Sequence, residues 1–162
     1  MAIKKETTGQ QAYQKLTALC ARSEHCQQEM IDKMRQWGVS PEEQAQVMER
    51  LVKERYVDDE RFTRAFVNDK IRYNKWGRRK VEQALWMKRI DEHIAKAVLD
   101  EVDDEEYTAI LTPMLKQKRR STKANSDYEL NMKLIKYALS RGFTMDIIKQ
   151  CINVEDESEF LD

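Results

Sequence analysis

Four glycines and two prolines in 162 residues leave little material for tight turns, hairpins or a phosphate-cradling loop. The three cysteines, Cys20, Cys26 and Cys151, are odd in number and show no CxxC or Cys/His ligand spacing. Reduced thiols are therefore expected, with neither a disulfide framework nor a zinc site. His25 and His93 stand alone, and no HExxH or GxSxG pattern occurs. The residues thus indicate a protein that is not an enzyme, with no catalytic residue, no metal site, no cofactor and no small-molecule substrate. No apolar run approaches membrane-spanning length, and the segment from Met1 to Thr8 lacks the apolar core of a signal peptide. A soluble, cytoplasmic monomer with no membrane partner is expected. Net charge is absent too, because 29 basic residues cancel 29 acidic ones. Any electrostatic contact must come from local segregation.

What is present is charge in quantity, 36% of the chain, and a junction written three times. Trp37-Gly38-Val39-Ser40, Lys88-Arg89-Ile90-Asp91 and Arg141-Gly142-Phe143-Thr144 each set an apolar residue beside one that caps a helix N-terminus, and the apolar residue recurs after 51 and then 53 residues. Nine positions before it stand Met30, Val81 and Leu134; eight after it stand Val47, Val98 and Cys151. The fold class read from this pattern is all-α: three tandem three-helix repeats over 11–53, 54–101 and 102–153, forming an elongated, curved, right-handed-type helical array. A frayed tail over 1–10 and an acidic tail over 154–162 complete the chain. Alternating apolar and polar residues never persist, so no strand competes.

Helix boundaries follow from local chemistry. Ser23 or Glu24 leads into the second helix, whose stripe of Met30, Ile31, Met34 and Trp37 stops at Gly38. Ser40-Pro41-Glu42-Glu43 opens the third with a cap, a proline at the first helical position and a capping-box glutamate. In the second junction Arg89 occupies the place of Gly38 and Gly142, so that turn either holds a non-glycine residue at positive φ or closes differently. Pro113 is expected to kink its helix rather than end it. A polar connection is expected from Lys116 to Ser126.

Two acidic motifs, Asp58-Asp59-Glu60 and Asp103-Asp104-Glu105-Glu106, lie where first helices begin, a position in which carboxylates cap the helix and favour its dipole. The basic residues segregate. One cluster, from Lys70 to Arg89, holds Lys70, Arg72, Lys75, Arg78, Arg79, Lys80, Lys88 and Arg89 and includes Tyr73 and Trp76; a second, in the expected connection, holds Lys116, Lys118, Arg119, Arg120 and Lys123. Cations interleaved with aromatics suit single-stranded nucleic acid or an acidic protein surface, while a merely solvated face is the competing explanation. Arg78-Arg79-Lys80 follow Gly77 at a helix start, where free N–H groups favour an anion. Base-specific reading by a helix-turn-helix has no separable residue set here.

Tyr56-Val57-Asp58-Asp59-Glu60-Arg61-Phe62, Phe66, Gly77-Arg78-Arg79-Lys80-Val81 and the run from Leu85 to Ile90 together resemble the central repeat of the bacterial RecX regulatory proteins. The chain departs from that pattern at Thr63, where alanine is usual, and at Arg89, where glycine is common. The resemblance implies an inhibitor of the RecA recombinase that binds RecA or the RecA–single-stranded-DNA filament. Such a protein restrains RecA's ATPase, strand-exchange and co-protease activities in DNA recombination, repair and the SOS response. Arg72, Lys75, Arg78, Arg79 and Lys80 of the central repeat, with Lys118, Arg119, Arg120 and Lys123 of the third, are the expected partner contacts, with weak direct DNA binding as an accompaniment. A nonspecific DNA-binding repeat protein acting without RecA is the alternative, and a helical scaffold for another protein is a third.

Overall fold

The computed structural model describes residues 7–152, which form nine α-helices and no strand. They are α1 (Gly9–Arg22), α2 (Gln27–Gln36), α3 (Pro41–Lys53), α4 (Asp59–Arg72), α5 (Arg78–Met87), α6 (Glu92–Leu99), α7 (Asp104–Ser121), α8 (Asp127–Ser140) and α9 (Met145–Cys151). Of the segment expected to be a frayed tail, the first six residues lie outside the described residues, while Gly9 and Gln10 belong to α1. Thr8 caps that helix in a full capping box: its hydroxyl accepts from the Gln11 N–H at 3.2 Å, and Gln11 accepts from the Thr8 N–H at 3.1 Å. The acidic tail over 154–162 lies outside the described residues.

The three repeated junctions share one backbone solution. Gly38 (φ 74°), Arg89 (φ 55°) and Gly142 (φ 95°) are all left-handed. The next residue donates its N–H five residues back: Val39 to Met34, Ile90 to Leu85, and Phe143 to Ala138, at 3.0–3.1 Å. The left-handed residue itself donates three residues back in each case. This is the Schellman arrangement, in which otherwise orphaned carbonyls are satisfied and the following apolar residue is folded under the helix end. Val39, Ile90 and Phe143 are accordingly buried. Arg89 tolerates the conformation at a cost of about 1 kcal/mol relative to glycine.

Two local expectations need correction. The second helix starts at Gln27, not after Ser23 or Glu24, because the Glu29 carboxylate reaches back to the Cys26 N–H at 3.1 Å and fixes the first turn there. At α3 Ser40 caps the Glu43 N–H, but Glu43 does not return the bond; its carboxylate accepts from the Gly9 N–H at 2.9 Å and ties α1 to α3.

The chain divides into two compact units, and α4, α5 and α6 each contribute residues to both. The first comprises the described residues up to 66 together with 85–95. Its core is Ala12, Leu16, Met30, Met34, Val39, Val47, Leu51 and Val57, with Tyr13, Leu19 and Trp37 packed against it. Asp59 accepts from the Gln27 N–H at 2.9 Å, and Arg61 pairs with Glu24 at 2.7 Å. Thr63, the departure from alanine, is fully buried and bonds back to the Asp59 carbonyl, so its hydroxyl is satisfied within α4.

The second unit comprises 67–84 and the described residues from 96 onward. α7, α8 and α9 enclose Leu111, Met114, Leu115, Leu134, Ile135, Ala138, Ile147 and Ile148. Tyr107 and Phe143 meet edge to face at 6.5 Å. Pro113 lies inside α7 without ending it.

Candidate functional site

The nine expected contact residues of the two basic clusters fall within the second unit, whereas Lys88 and Arg89 belong to the first. The structure changes the local setting of several of their members. Lys118, Arg119 and Arg120 are not in a loop: α7 runs on to Ser121, and they form its exposed last turns. Lys and Arg are good helix formers, and their cations lie at the negative end of the helix dipole, so this polar stretch had no reason to leave the helix. Only Lys123 of the four lies in the connection to α8.

The start of α5 is likewise not an open anion site. The Gly77 N–H donates to the Arg141 carbonyl at 2.9 Å, and the Arg79 N–H donates to the Gly142 carbonyl at 3.0 Å. Two donors expected to be free instead hold α5 against the turn that ends α8. A Cβ on Gly77 would overlap the Phe143 backbone, and one on Gly142 would press on Lys80, so the approach requires glycine on both sides.

The nine expected contact residues therefore separate by role. Arg78 is half-buried; its guanidinium pairs with Glu82 at 2.8 Å and Asp100 at 2.7 Å. Burial opposes its charge, but these two carboxylates outweigh that and raise its pKa. Arg119 donates to the buried Asn131 side chain at 3.0 Å. Lys80 and Lys70 flank the Trp76 ring with Nζ at 4.8 and 5.1 Å from its centroid, and Lys118 lies 4.9 Å from that of Tyr137. Arg72, Lys75, Arg79 and Arg120 are exposed, and none has a side-chain hydrogen bond or ion pair among the described residues.

The two clusters are joined by residues the sequence did not single out as contacts. The Arg141 guanidinium lies 5.9 Å from the centroid of the Tyr137 ring that Lys118 also approaches, while the Arg141 carbonyl accepts from the N–H of Gly77, next to Trp76. Lys118, Tyr137 and Arg141 thus form one series of side chains, and the backbone bond from Gly77 ties it to the segment that carries Trp76 and Lys80. The signal was present in the sequence as the four-residue spacing of Tyr137, in the last turn of α8, and Arg141, which caps that helix, a spacing that brings two side chains together.

A cavity of about 60 Å³ lined by Arg78, Asp104, Tyr107, Phe143 and Thr144 is far below the roughly 300–1,000 Å³ of small-molecule sites. Burial pushes the Tyr107 phenol beside it up to about 12. Of the acidic motifs, Asp58 caps α4 through the Arg61 N–H at 3.0 Å, and Asp104 accepts from Gln150 at 3.3 Å. Among the described residues no three His, Cys, Asp or Glu side chains are grouped to hold a metal, and no helix is long and apolar enough to cross a membrane.

Comparison with known proteins gives three consecutive matches to family models: the first three-helix domain of RecX over residues 12–51, the second over 58–99 and the third over 104–152. The chain is 30% identical over 141 residues to a regulatory protein RecX of Acinetobacter baylyi, covering 86% of each chain. It is 32% identical over 139 residues to one of Chlorobium limicola, covering 85% of this chain and 84% of that one. Other curated relatives are longer; this chain spans 64% of one and 44% of another. The crystal structure of RecX from Lactobacillus salivarius superimposes with a TM-score of 0.81 at 18% identity, over 95% of this chain and 97% of that one, which shows a common fold.

Proposed function

This chain belongs to the RecX family, and from that premise we propose that it is a non-catalytic inhibitor of the RecA recombinase that binds the RecA–single-stranded-DNA filament through the cationic face of its second unit. The observation that carries the proposal is the link between two basic clusters distant in sequence: Lys118 and Arg141 share the Tyr137 ring, and the Arg141 carbonyl takes the N–H of Gly77 at the head of the Arg78-Arg79-Lys80 run. A neutral protein with one such face meets a nucleoprotein polymer locally, without the long-range attraction to all nucleic acid that a basic protein has. Arg72, Lys75, Arg79 and Arg120 are the side chains best placed to contact the partner, because no internal ion pair holds them. Arg78 and Arg119 position the helices that carry them. Contact along more than one RecA protomer would restrain the movements that accompany ATP turnover, and with them strand exchange and co-protease activity.

The test is RecA ATPase on single-stranded DNA titrated with this protein. Inhibition saturating at a fixed ratio to RecA supports the reading. Tight, strongly salt-dependent binding to bare DNA with unchanged RecA turnover would favour a nonspecific DNA-binding protein instead.

A further inference from the structure

We propose that Tyr73 is a base-stacking residue, through which the protein contacts an unpaired nucleobase directly while the surrounding cations hold the flanking phosphates. The inference deepens the functional reading above and rests on it only for the source of the strand.

Tyr73 is the most exposed large apolar side chain of the described residues, at 80%. Its ring has no aromatic, cation–π or hydrogen-bond partner among them. The backbone beneath it is nonetheless tied down on both sides. The Tyr73 N–H continues the α4 ladder to the Asp69 carbonyl at 2.9 Å, and the Trp76 N–H reaches back to Lys70 at 3.1 Å. Between them Lys75 is left-handed at φ 58°, a conformation that costs a non-glycine residue about 1 kcal/mol and is kept here by its surroundings. Trp76 is fixed between Lys70 and Lys80, and Gly77 is bonded to Arg141. A short, anchored segment therefore presents one unpartnered aromatic ring to solvent, and a tyrosine loses little rotamer freedom when its ring is covered.

The setting favours a base over a protein side chain. Residues 70–80 contain six basic residues and no acidic one. Arg72, Asn74 and Lys75 beside Tyr73 are exposed and polar, so the ring lacks the apolar surround that makes an aromatic a protein-docking anchor. One isolated π face within reach of several cations is the combination that holds a single strand: stacking is indifferent to sequence, and the cations follow the phosphates.

The test measures binding of oligothymidylate, and of an all-abasic strand of equal length, to the wild-type protein and to Tyr73→Ala, Tyr73→Phe and Tyr73→Trp, with RecA ATPase assayed in parallel. Tyr73→Ala is expected to bind oligothymidylate about tenfold more weakly and the abasic strand as well as wild type; phenylalanine and tryptophan should retain binding to both. Unchanged oligothymidylate affinity in Tyr73→Ala, an equal loss on both strands, or absence of wild-type binding to oligothymidylate overturns the proposal. So does a loss confined to RecA filaments, which would make Tyr73 a protein contact. Inhibition of RecA without oligothymidylate binding sinks this inference alone; oligothymidylate binding without inhibition sinks the functional reading alone.

Discussion

The Gly77 amide donates to the Arg141 carbonyl at 2.9 Å, joining the first turn of α5 to the turn that closes α8. With the Arg79–Gly142 bond beside it, this joint places the central basic cluster against the third repeat. A methyl group at residue 77 would enter the Phe143 backbone, which cannot yield as a flexible side chain does. Gly77→Ala is therefore expected to cost about 2–3 kcal/mol and lower the melting temperature by roughly 5–10 °C. Thermal unfolding followed by circular dichroism measures this; an unchanged midpoint would mean that the joint opens without cost.

Adjacent arginines should behave differently. Arg78 holds Glu82 and Asp100 together, whereas the Arg79 side chain has no partner among the described residues. Arg78→Ala is expected to lose about 1 kcal/mol of stability, a half-buried charged network being worth more than an exposed pair. Arg79→Ala should stay within about 0.5 kcal/mol of wild type. Chemical denaturation of the two variants separates them, and equal losses would refute the division of roles.

Glu29 makes stability pH-dependent with a definite sign. Burial raises its pKa, but the Cys26 N–H and the Lys88 ammonium at 3.0 Å more than offset this and leave it below the ordinary glutamate value; His25, 3.5 Å away, acts in the same direction. A carboxylate depressed in the folded state contributes stability in full above its unfolded pKa of about 4.3, and that contribution fades as pH falls toward the folded pKa. Glu29→Gln should consequently melt below wild type at neutral pH, with the gap closing on acidification. A gap that is constant from neutral pH to below 4 would show that the charge is irrelevant.

The junctions were legible in the sequence because each couples a left-handed position to an apolar residue that has to be buried. Arg89, read as a non-glycine residue forced to positive φ or a differently closed turn, takes the first course. The end of α7 differs from the expected loop because polar composition alone does not end a helix: Lys116 to Ser121 contains neither glycine nor proline to break it. Three features were invisible for a common reason. Glu43 bonding Gly9, Arg78 bonding Asp100 and Gly77 bonding Arg141 are long-range pairings, and periodicity reports which face a residue occupies but not what faces it.

The central claim, that this cationic face meets a RecA filament, is tested most directly by measuring the affinity of the wild-type protein and of the Arg79→Glu/Arg120→Glu variant for preassembled RecA–single-stranded-DNA filaments at one fixed physiological salt concentration. Both positions are exposed and have unpaired side chains among the described residues, so helicity should be unchanged, with only a small fall in melting temperature from the acidic residue at the end of α7. Filament binding by the variant should be weakened about tenfold or more. Undiminished binding by the folded variant would contradict it.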